Sequence, residues 1–415
     1  MARLHLQCAA LVAASLGAVK LLFVSNLFPD QTESWRGLDN ATLLHAMREA
    51  EPRLEIRVLA FRPSLMRFGH AARLHPRSGD EILSPSFFWT NYLPKLGGLN
   101  HRLFALALAR AEASLPADFQ PDAILAPWLF PDACAAAIRA QRRRTPIVAV
   151  AQGSDVHQYL DMPMRRRAIL KLAKQARKIV TRSKDLQSRL ITRGAEAGRV
   201  CTIYNGVDTG LFRPAPQLGV RNQLGIPGEG RLLLFVGNFL PVKGIDLLLS
   251  SFALVRAQSR VPTRLALIGG GPLEPALRQQ AAELGVSENV IFVGRQPPTA
   301  VARWMQAADA VCLASHNEGV PNVLFESISS GRPMVSTDVG GISEIVEPLM
   351  SRRFLVKQRD PERFAAALLD ALDHPPDEKS LRQMALAFSW EACARNYLAL
   401  LFPRDPVTDA VAPPQ

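Results

Sequence analysis

No stretch of this 415-residue chain holds about 18 uninterrupted apolar residues, so no membrane-spanning helix is expected. Cysteine is scarce: Cys8, Cys134, Cys201, Cys312 and Cys393 lie far apart, with no C-x-x-C pair. That argues against a thiolate metal site or a disulfide framework and favours a reducing compartment, so a cytoplasmic location is expected. Internal repeats and low-complexity tracts are missing too. No aromatic residue interleaves with the cations of the most basic segment, 163–193, which argues against single-stranded nucleic acid as a partner.

What is present is a globular composition. Apolar residues make up 48% and mean hydropathy is +0.05, enough to bury a core. The length suggests two or three domains. The formal net charge is +12, unevenly spread. Residues 1–206 carry about 29 Lys and Arg against about 16 Asp and Glu, and the rest is near neutral. The first half is therefore expected to attract an anionic partner. Residues 163–193 hold about eleven of those cations and one acid. On a helix, "RRRAILKLAKQARKIV" would put Ile169, Leu172, Ala176 and Ile179 near one side and cations on the other, facing solvent or an anionic membrane surface.

Short apolar runs alternate with amphipathic stretches, the pattern of parallel sheets flanked by helices. In the first half the runs are "VKLLFVSN", "LEIRVLAF", "DAILAP", "IVAVAQG", "KIVTRS" and "VCTIYNG". In the second half they are "RLLLFVGN", "RLALIGGG", "NVIFVG", "AVCLAS", "PMVST" and "RFLV". The pattern restarts after "YNGVDTGLFRPAPQLGV", whose Asn-Gly, Pro214 and Pro216 read as a linker. Two doubly wound α/β domains follow, at 19–205 and 206–387, with a terminal helix over 388–403 and a disordered tail at 404–415. Residues 1–18 read as an extension before a true start near Val19. Their apolar core is short and broken by His5 and Gln7, a poor signal peptide.

The chemistry concentrates in "HNEGVPNVLFESISSGRPMV", residues 316–335. Glu318 stands in a loop after the run "AVCLAS", and Glu326 lies on the helix that Pro321 opens and Gly331 closes. Asn322 and Glu326 are four apart and share a helix face. The loop Gly319-Val320-Pro321 and the first helical residues, Asn322 and Val323, put a helix N-terminus beside both acids, a setting that favours anions. Carboxylates suit hydroxyls rather than phosphate, so the arrangement suits a nucleotide-sugar: one acid on the hexose, one on the ribose, the helix end and a cation on the diphosphate. Two acids alone read rather as a helix cap, Glu318, and a solvated-face residue, Glu326; the neighbouring strand ends change that reading.

Three further strand ends fall on the same sheet edge. Gly237, Asn238 and Lys243 follow one, and Lys243 is a phosphate ligand in type, though a surface lysine is commoner. Gly269, Gly270 and Gly271 follow the next, where the backbone must approach something closely. Gly294 and Arg295 follow the third, where main-chain groups can meet a base edge. In the first half, Arg36 and Gly37 belong to a loop suited to donor phosphates. Asp155 and His157 in "GSDVH" are equally readable as site residues or as turn and surface residues.

Taken in order and spacing, "FVGNFLPVKGID", "LIGGGPLEPAL", "VIFVGRQP", "AADAVCLAS", "NEGVPNVLFES" and "GRPMVSTDVGGISEIV" resemble the nucleotide-sugar domain of the GT-B glycosyltransferases of family 4. With weaker pieces in the first half, the resemblance spans roughly residues 19–403 and is nearest to members that build cell-surface polysaccharides. It implies two Rossmann-like domains facing across a cleft and the terminal helix packing back on the first. It also implies transfer with retention of configuration, a nucleoside-diphosphate sugar as donor, a glycan or lipid-linked acceptor and no required metal or other cofactor. No Asp-x-Asp follows a strand run, in keeping with that. The resemblance implies that Glu318 contacts the donor sugar, Glu326 the ribose and Lys243 the diphosphate. Two departures stand out. Asn238 replaces a second cation, leaving Lys243 as the main formal charge. Pro127 stands where relatives carry the second His of a His-x-His. Two other classes remain open: a nucleotide-sugar epimerase of the same fold and a non-catalytic nucleotide-sugar-binding protein.

Overall fold

The computed structural model describes residues 18–403 apart from 66, 68, 72 and 94–96. The expectations for residues 1–17 and for the tail at 404–415 lie outside the described residues. The chain divides into two compact units. The first runs to Arg182, resumes over Leu186–Ile203 and takes up the chain again from Cys393; the second holds Ser183–Asp185 and Tyr204–Ala392.

The first unit is built on β1 (Val19–Ser25), β2 (Leu54–Ser64), β3 (Gly69–His70), β4 (Pro85–Asn91), β5 (Ala123–Pro127), β6 (Ile147–Ala151), β7 (Lys178–Thr181) and β8 (Val200–Thr202). Their order is β3-β4-β2-β1-β5-β6-β7-β8, parallel throughout except for β3 against β4. Every residue of β5 and β6 is buried, as expected of parallel strands covered on both faces. The helices are α1 (Leu38–Ala50), α2 (Asn100–Ala111), α3 (Cys134–Arg143), α4 (Ser154–His157), α5 (Pro163–Gln175) and α6 (Lys184–Thr192).

Two details differ from the sequence expectation. Strand β4, "PSFFWTN", was not among the expected runs. Pro85 stands at its first position, where a strand tolerates proline, and Phe61 of β2 meets Phe88 with ring centroids 5.7 Å apart. The basic helix stops at Gln175: Ala176 is extended (ψ 144°), and Ile179 lies in β7 between Ala149 and Val200. Its β-branched side chain therefore serves the sheet rather than the helix stripe. Ile169, Leu172 and Ala173 anchor α5, while Arg167, Lys171 and Lys174 are exposed.

The second unit contains β9 (Arg231–Val236), β10 (Thr263–Ile268), β11 (Val290–Gly294), β12 (Ala310–Leu313), β13 (Met334–Thr337) and β14 (Leu355–Val356). The order β11-β10-β9-β12-β13-β14 is parallel throughout and reverses between β9 and β12. Its helices are α7 (Gln217–Gln223), α8 (Ile245–Gln258), α9 (Glu274–Glu283), α10 (Pro298–Ala307), α11 (Asn322–Ser329), α12 (Ser343–Leu349), α13 (Pro361–Asp373) and α14 (Glu378–Ala385). The final helix, α15 (Trp390–Leu401), passes into the first unit at Cys393. There Tyr397 is fully buried beneath the Arg182 guanidinium, and Arg177 donates to the Leu401 carbonyl at 2.6 Å.

The expected linker is a packed part of the second unit. Val207 and Phe212 are buried, and Arg382 donates to the Thr209 and Phe212 carbonyls at 2.6 and 2.8 Å. A guanidinium holding two loop carbonyls replaces the regular pairing that Pro214 and Pro216 preclude.

Candidate active site

Open α/β sheets bind ligands where the strand order reverses, beyond the carboxyl ends of the strands. In the second unit that point lies between β9 and β12. The loop after β9 carries Asn238 and Lys243; the loop after β12 carries Glu318. The two loops are tied by the His316 N–H donating to the Val242 carbonyl at 2.8 Å.

Lys243 Nζ meets Glu318 Oε1 at 2.5 Å, and Ser315 Oγ donates to the same oxygen at 2.7 Å. Ser315 is fully buried, and its own carbonyl accepts from Thr337 Oγ1 at 2.6 Å, so the acid is braced from β13. From the far side, the Gly341 N–H donates to the Gly319 carbonyl at 2.9 Å. Gly340 has φ +58°, and a Cβ there would fall 1.7 Å from the Glu318 carbonyl oxygen. Only glycine allows that approach.

Glu326 sits one turn into α11, whose Val323, Leu324, Phe325 and Ile328 are buried. Its half-buried carboxyl has no hydrogen-bond partner among the described residues, and burial pushes it up to about 7. Asn322, at the start of the same helix, is exposed and accepts from Asn205 Nδ2 at 2.8 Å. Pro321 precedes the first turn in extended conformation, so the helix presents its first N–H groups toward the loop that holds Gly319 and Val320.

A second set of contacts lies on the β10 and β11 side. Gly269 (φ +141°) would place a Cβ 1.8 Å from the Gly237 carbonyl oxygen, so three strand ends close together here. The Phe239 N–H donates to the Gly270 carbonyl, and the Gly269 N–H to the Gly294 carbonyl, both at 3.0 Å. Gly271 continues that turn, its Cβ position facing the Phe239 carbonyl. Arg295 Nη1 donates to Asn238 Oδ1 at 3.1 Å, and Nη2 to the Gly270 carbonyl at 3.3 Å. This corrects the expectation that Lys243 is left as the main charge. The amide of Asn238 recruits the guanidinium of Arg295, 57 residues away, and a second cation stands at that loop after all. Ser315 and the Asn238–Arg295 link escaped the sequence reading, because a serine at a strand end and an amide facing an arginine carry no local signature.

In the first unit, Asp155 is fully buried and accepts from the backbone N–H groups of Leu129, Gln152 and Gly153 at 2.8, 3.0 and 2.9 Å. Burial raises its carboxyl above the usual range, and those N–H bonds partly offset the rise. Both Asp155 oxygens are taken up by these backbone N–H groups, the arrangement of a turn-forming acid. His157 leaves α4 on another side, lining a cavity of about 300 Å³ with Leu160, Ser188, Arg189 and Thr192. Arg36 pairs with Glu33 at 2.7 Å and reaches the Asn26 carbonyl at 3.5 Å, and Gly37 leads into α1 at the carboxyl end of β1.

The chain matches two consecutive family models. Residues 48–211 match the one described as Glycosyltransferase Family 4, and residues 219–387 the one described as Glycosyl transferases group 1. Among curated proteins, the D-inositol 3-phosphate glycosyltransferase of Thermobispora bispora is 36% identical over 208 residues, 47% of this chain and 48% of that protein. The same-named protein of Frankia alni is 37% identical over 216 residues, 49% of this chain and 53% of that one. The matched stretch thus spans about half the length of these relatives. Among solved structures, Anabaena Alr3699/HepE in complex with UDP superposes with a TM-score of 0.72 at 20% identity, covering 92% of this chain and 99% of that chain. WaaG, a glycosyltransferase involved in lipopolysaccharide biosynthesis, gives 0.66 at 16% identity, covering 93% and 100%. At such identities the structures show a shared fold. Two doubly wound units, each with its family model in order along the chain, place this protein among the GT-B glycosyltransferases of family 4, the glycosyl transferases group 1.

Proposed function

We propose that this chain transfers a sugar from a nucleoside-diphosphate sugar to a hydroxylated acceptor, with retention of configuration. The observation that carries the reading is the Lys243–Glu318 pair at the strand-order reversal of the second unit, flanked by the Asn238-bound Arg295. Glu318 accepts from hydroxyls of the donor sugar and Glu326 from the ribose. Lys243, Arg295 and the N-terminus of α11 face the diphosphate. The bond from the anomeric carbon to the phosphate oxygen breaks, its electron pair staying on the leaving diphosphate. The acceptor hydroxyl bonds to the anomeric carbon on the same face, and the departing phosphate oxygen takes its proton. Fixed positive charge where negative charge develops lowers such a barrier, and two side-chain cations supply it without a metal.

Several structures with the same fold carry UDP or UDP-glucose, which supports a donor of that class. The acceptor is a cell-surface glycan or a lipid-linked precursor, in keeping with the exposed cations of α5, which suit the anionic inner face of a membrane.

A thermal-shift panel of UDP-, GDP- and ADP-sugars, followed by product analysis, tests the reading. Stabilisation by one donor and transfer of its sugar are expected. Lys243→Ala and Glu326→Ala are each expected to lower turnover by roughly 10²- to 10³-fold with the fold intact. Full turnover in both variants, donor epimerisation without transfer, or donor binding without any turnover would each overturn it.

A further inference from the structure

The first unit has its own strand-order reversal, between β1 and β5, and a pocket of about 310 Å³ opens there. That volume lies at the small end of the roughly 300–1,000 Å³ typical of small-molecule sites. Trp128 and Tyr159 form one wall, with ring centroids 6.2 Å apart and planes at 87°. Trp128 holds φ +69°, a left-handed conformation that a bulky residue rarely adopts and that persists only where its surroundings demand it. Tyr92 is a third aromatic in the lining.

The polar lining is unfinished. Thr90 is only 3% exposed, and its Oγ1, like Oδ1 of Asn91, is buried without a hydrogen-bond partner among the described residues. Buried polar atoms are rarely left unpaired, and each needs an explanation. A ligand hydroxyl donates to the Asn91 oxygen and either donates to or accepts from that of Thr90.

Charge narrows the class. Among the described lining residues none is Lys or Arg, and the ionisable carboxyl is Asp132. Asp132 is fully buried and accepts from Asn26 N at 2.5 Å, Asn26 Nδ2 at 2.8 and 2.9 Å, and Ser25 Oγ at 3.1 Å. Arg165 stacks 4.2 Å over the Tyr159 ring and is not part of the lining. Burial pushes Asp132 up to about 7, so what discriminates is the lack of a cation: a phosphorylated ligand would find no Lys or Arg among the described lining residues, whereas a sugar ring offers an apolar face to the aromatic wall and hydroxyls to Thr90 and Asn91.

We infer that this pocket receives the ring of the acceptor, and that the ring is an uncharged, hydroxylated one rather than a phosphorylated one. Calling that ring the acceptor rests on the transferase reading above; the binding chemistry does not. The curated relatives are named for a phosphorylated acceptor, so the pocket separates this chain from the activity their names describe.

Saturation-transfer NMR on the full chain without donor decides the matter. The probes are methyl glucoside, methyl galactoside, methyl mannoside and myo-inositol, against glucose 6-phosphate and inositol 3-phosphate. At least one neutral ring is expected to bind, with the phosphorylated rings ~10-fold or more weaker, since tenfold corresponds to one poorly placed polar or charged contact. Thr90→Val and Trp128→Gly, the latter compatible with the positive φ, are each expected to weaken the neutral ring ~10-fold. Phosphorylated rings binding as well as neutral ones, no neutral ring binding, or unchanged affinity in both Thr90→Val and Trp128→Gly overturns the inference. A parallel UDP-sugar thermal shift keeps the failures apart. Ring binding without donor binding counts against the transferase reading alone, and transfer only to phosphorylated acceptors counts against this inference alone.

Discussion

At the scale of single residues, two carboxylates in the second unit do opposite things. Glu318 is paired with Lys243 and braced by Ser315, whereas half-buried Glu326 has no hydrogen-bond partner among the described residues. Burial raises the Glu326 carboxyl from an ordinary 4.5 to about 7. Between those values the folded chain holds a proton that the unfolded chain has released, so this group makes stability fall as pH rises through that window, by about 3 kcal/mol at most. The expected outcome is that Glu326→Gln flattens the decline in melting temperature between pH 4.5 and 7 relative to the parent. Identical declines would show that its ionisation costs the fold nothing. Asp30 acts in the reverse sense. Burial alone would raise it, but hydrogen bonds from Thr32, the Glu33 backbone and Arg62 hold it at about 2, so its contribution is lost as pH falls below 3.8.

At the scale of elements, the site depends on how closely loops approach. Gly340 lets the loop before α12 press on the peptide of Glu318, and a Cβ there has no room. Gly285 has a similar φ of +67° with nothing within 4 Å, which makes it a control. Both alanine variants should lose about 1 kcal/mol to the left-handed backbone, but only Gly340→Ala should also lose nucleotide-sugar affinity, by about tenfold or more, in a calorimetric titration. Equal affinities in the two variants would show that the Gly340 contact does not position Glu318. Sequence legibility divides along the same line. Both acids, Lys243 and the glycine turns were readable because each follows an apolar run at a spacing that a strand and a loop impose. Asp155 was readable only as an ambiguity, since a buried turn acid and a site acid look alike until the N–H groups of Leu129, Gln152 and Gly153 are seen around it. Strand β4 was missed because its aromatic run begins at a proline and follows the two-residue β3.

At the scale of the whole molecule, the charge asymmetry has a structural address. Helix α5 buries Ile169, Leu172 and Ala173 and exposes Arg167, Lys171 and Lys174, with Met162 and Met164 exposed at its start. No described helix is long and apolar enough to cross a membrane. Binding at an anionic surface would draw about 1 kcal/mol from each nearby cation. Co-sedimentation with vesicles containing anionic lipid is therefore expected, with little binding to neutral vesicles. Lys171→Glu with Lys174→Glu should weaken it by roughly tenfold or more, and added salt should weaken it further. Equal binding to neutral vesicles, or no effect of the double variant, would remove the membrane from the account.

The sequence by itself determined the alternation of strands and helices, the placing of acids, lysine and glycines at strand ends, and the basic character of α5. Those follow from local rules: period, turn chemistry and side-chain type. Tertiary structure alone decided that Arg295 returns a cation to Asn238, that Lys243 and Glu318 pair, that Glu326 has no partner among the described residues, and that Thr90 and Asn91 meet Trp128 around one pocket. These are contacts between residues tens of positions apart. Strand order, which no local pattern encodes, brings each set to an edge of its own sheet.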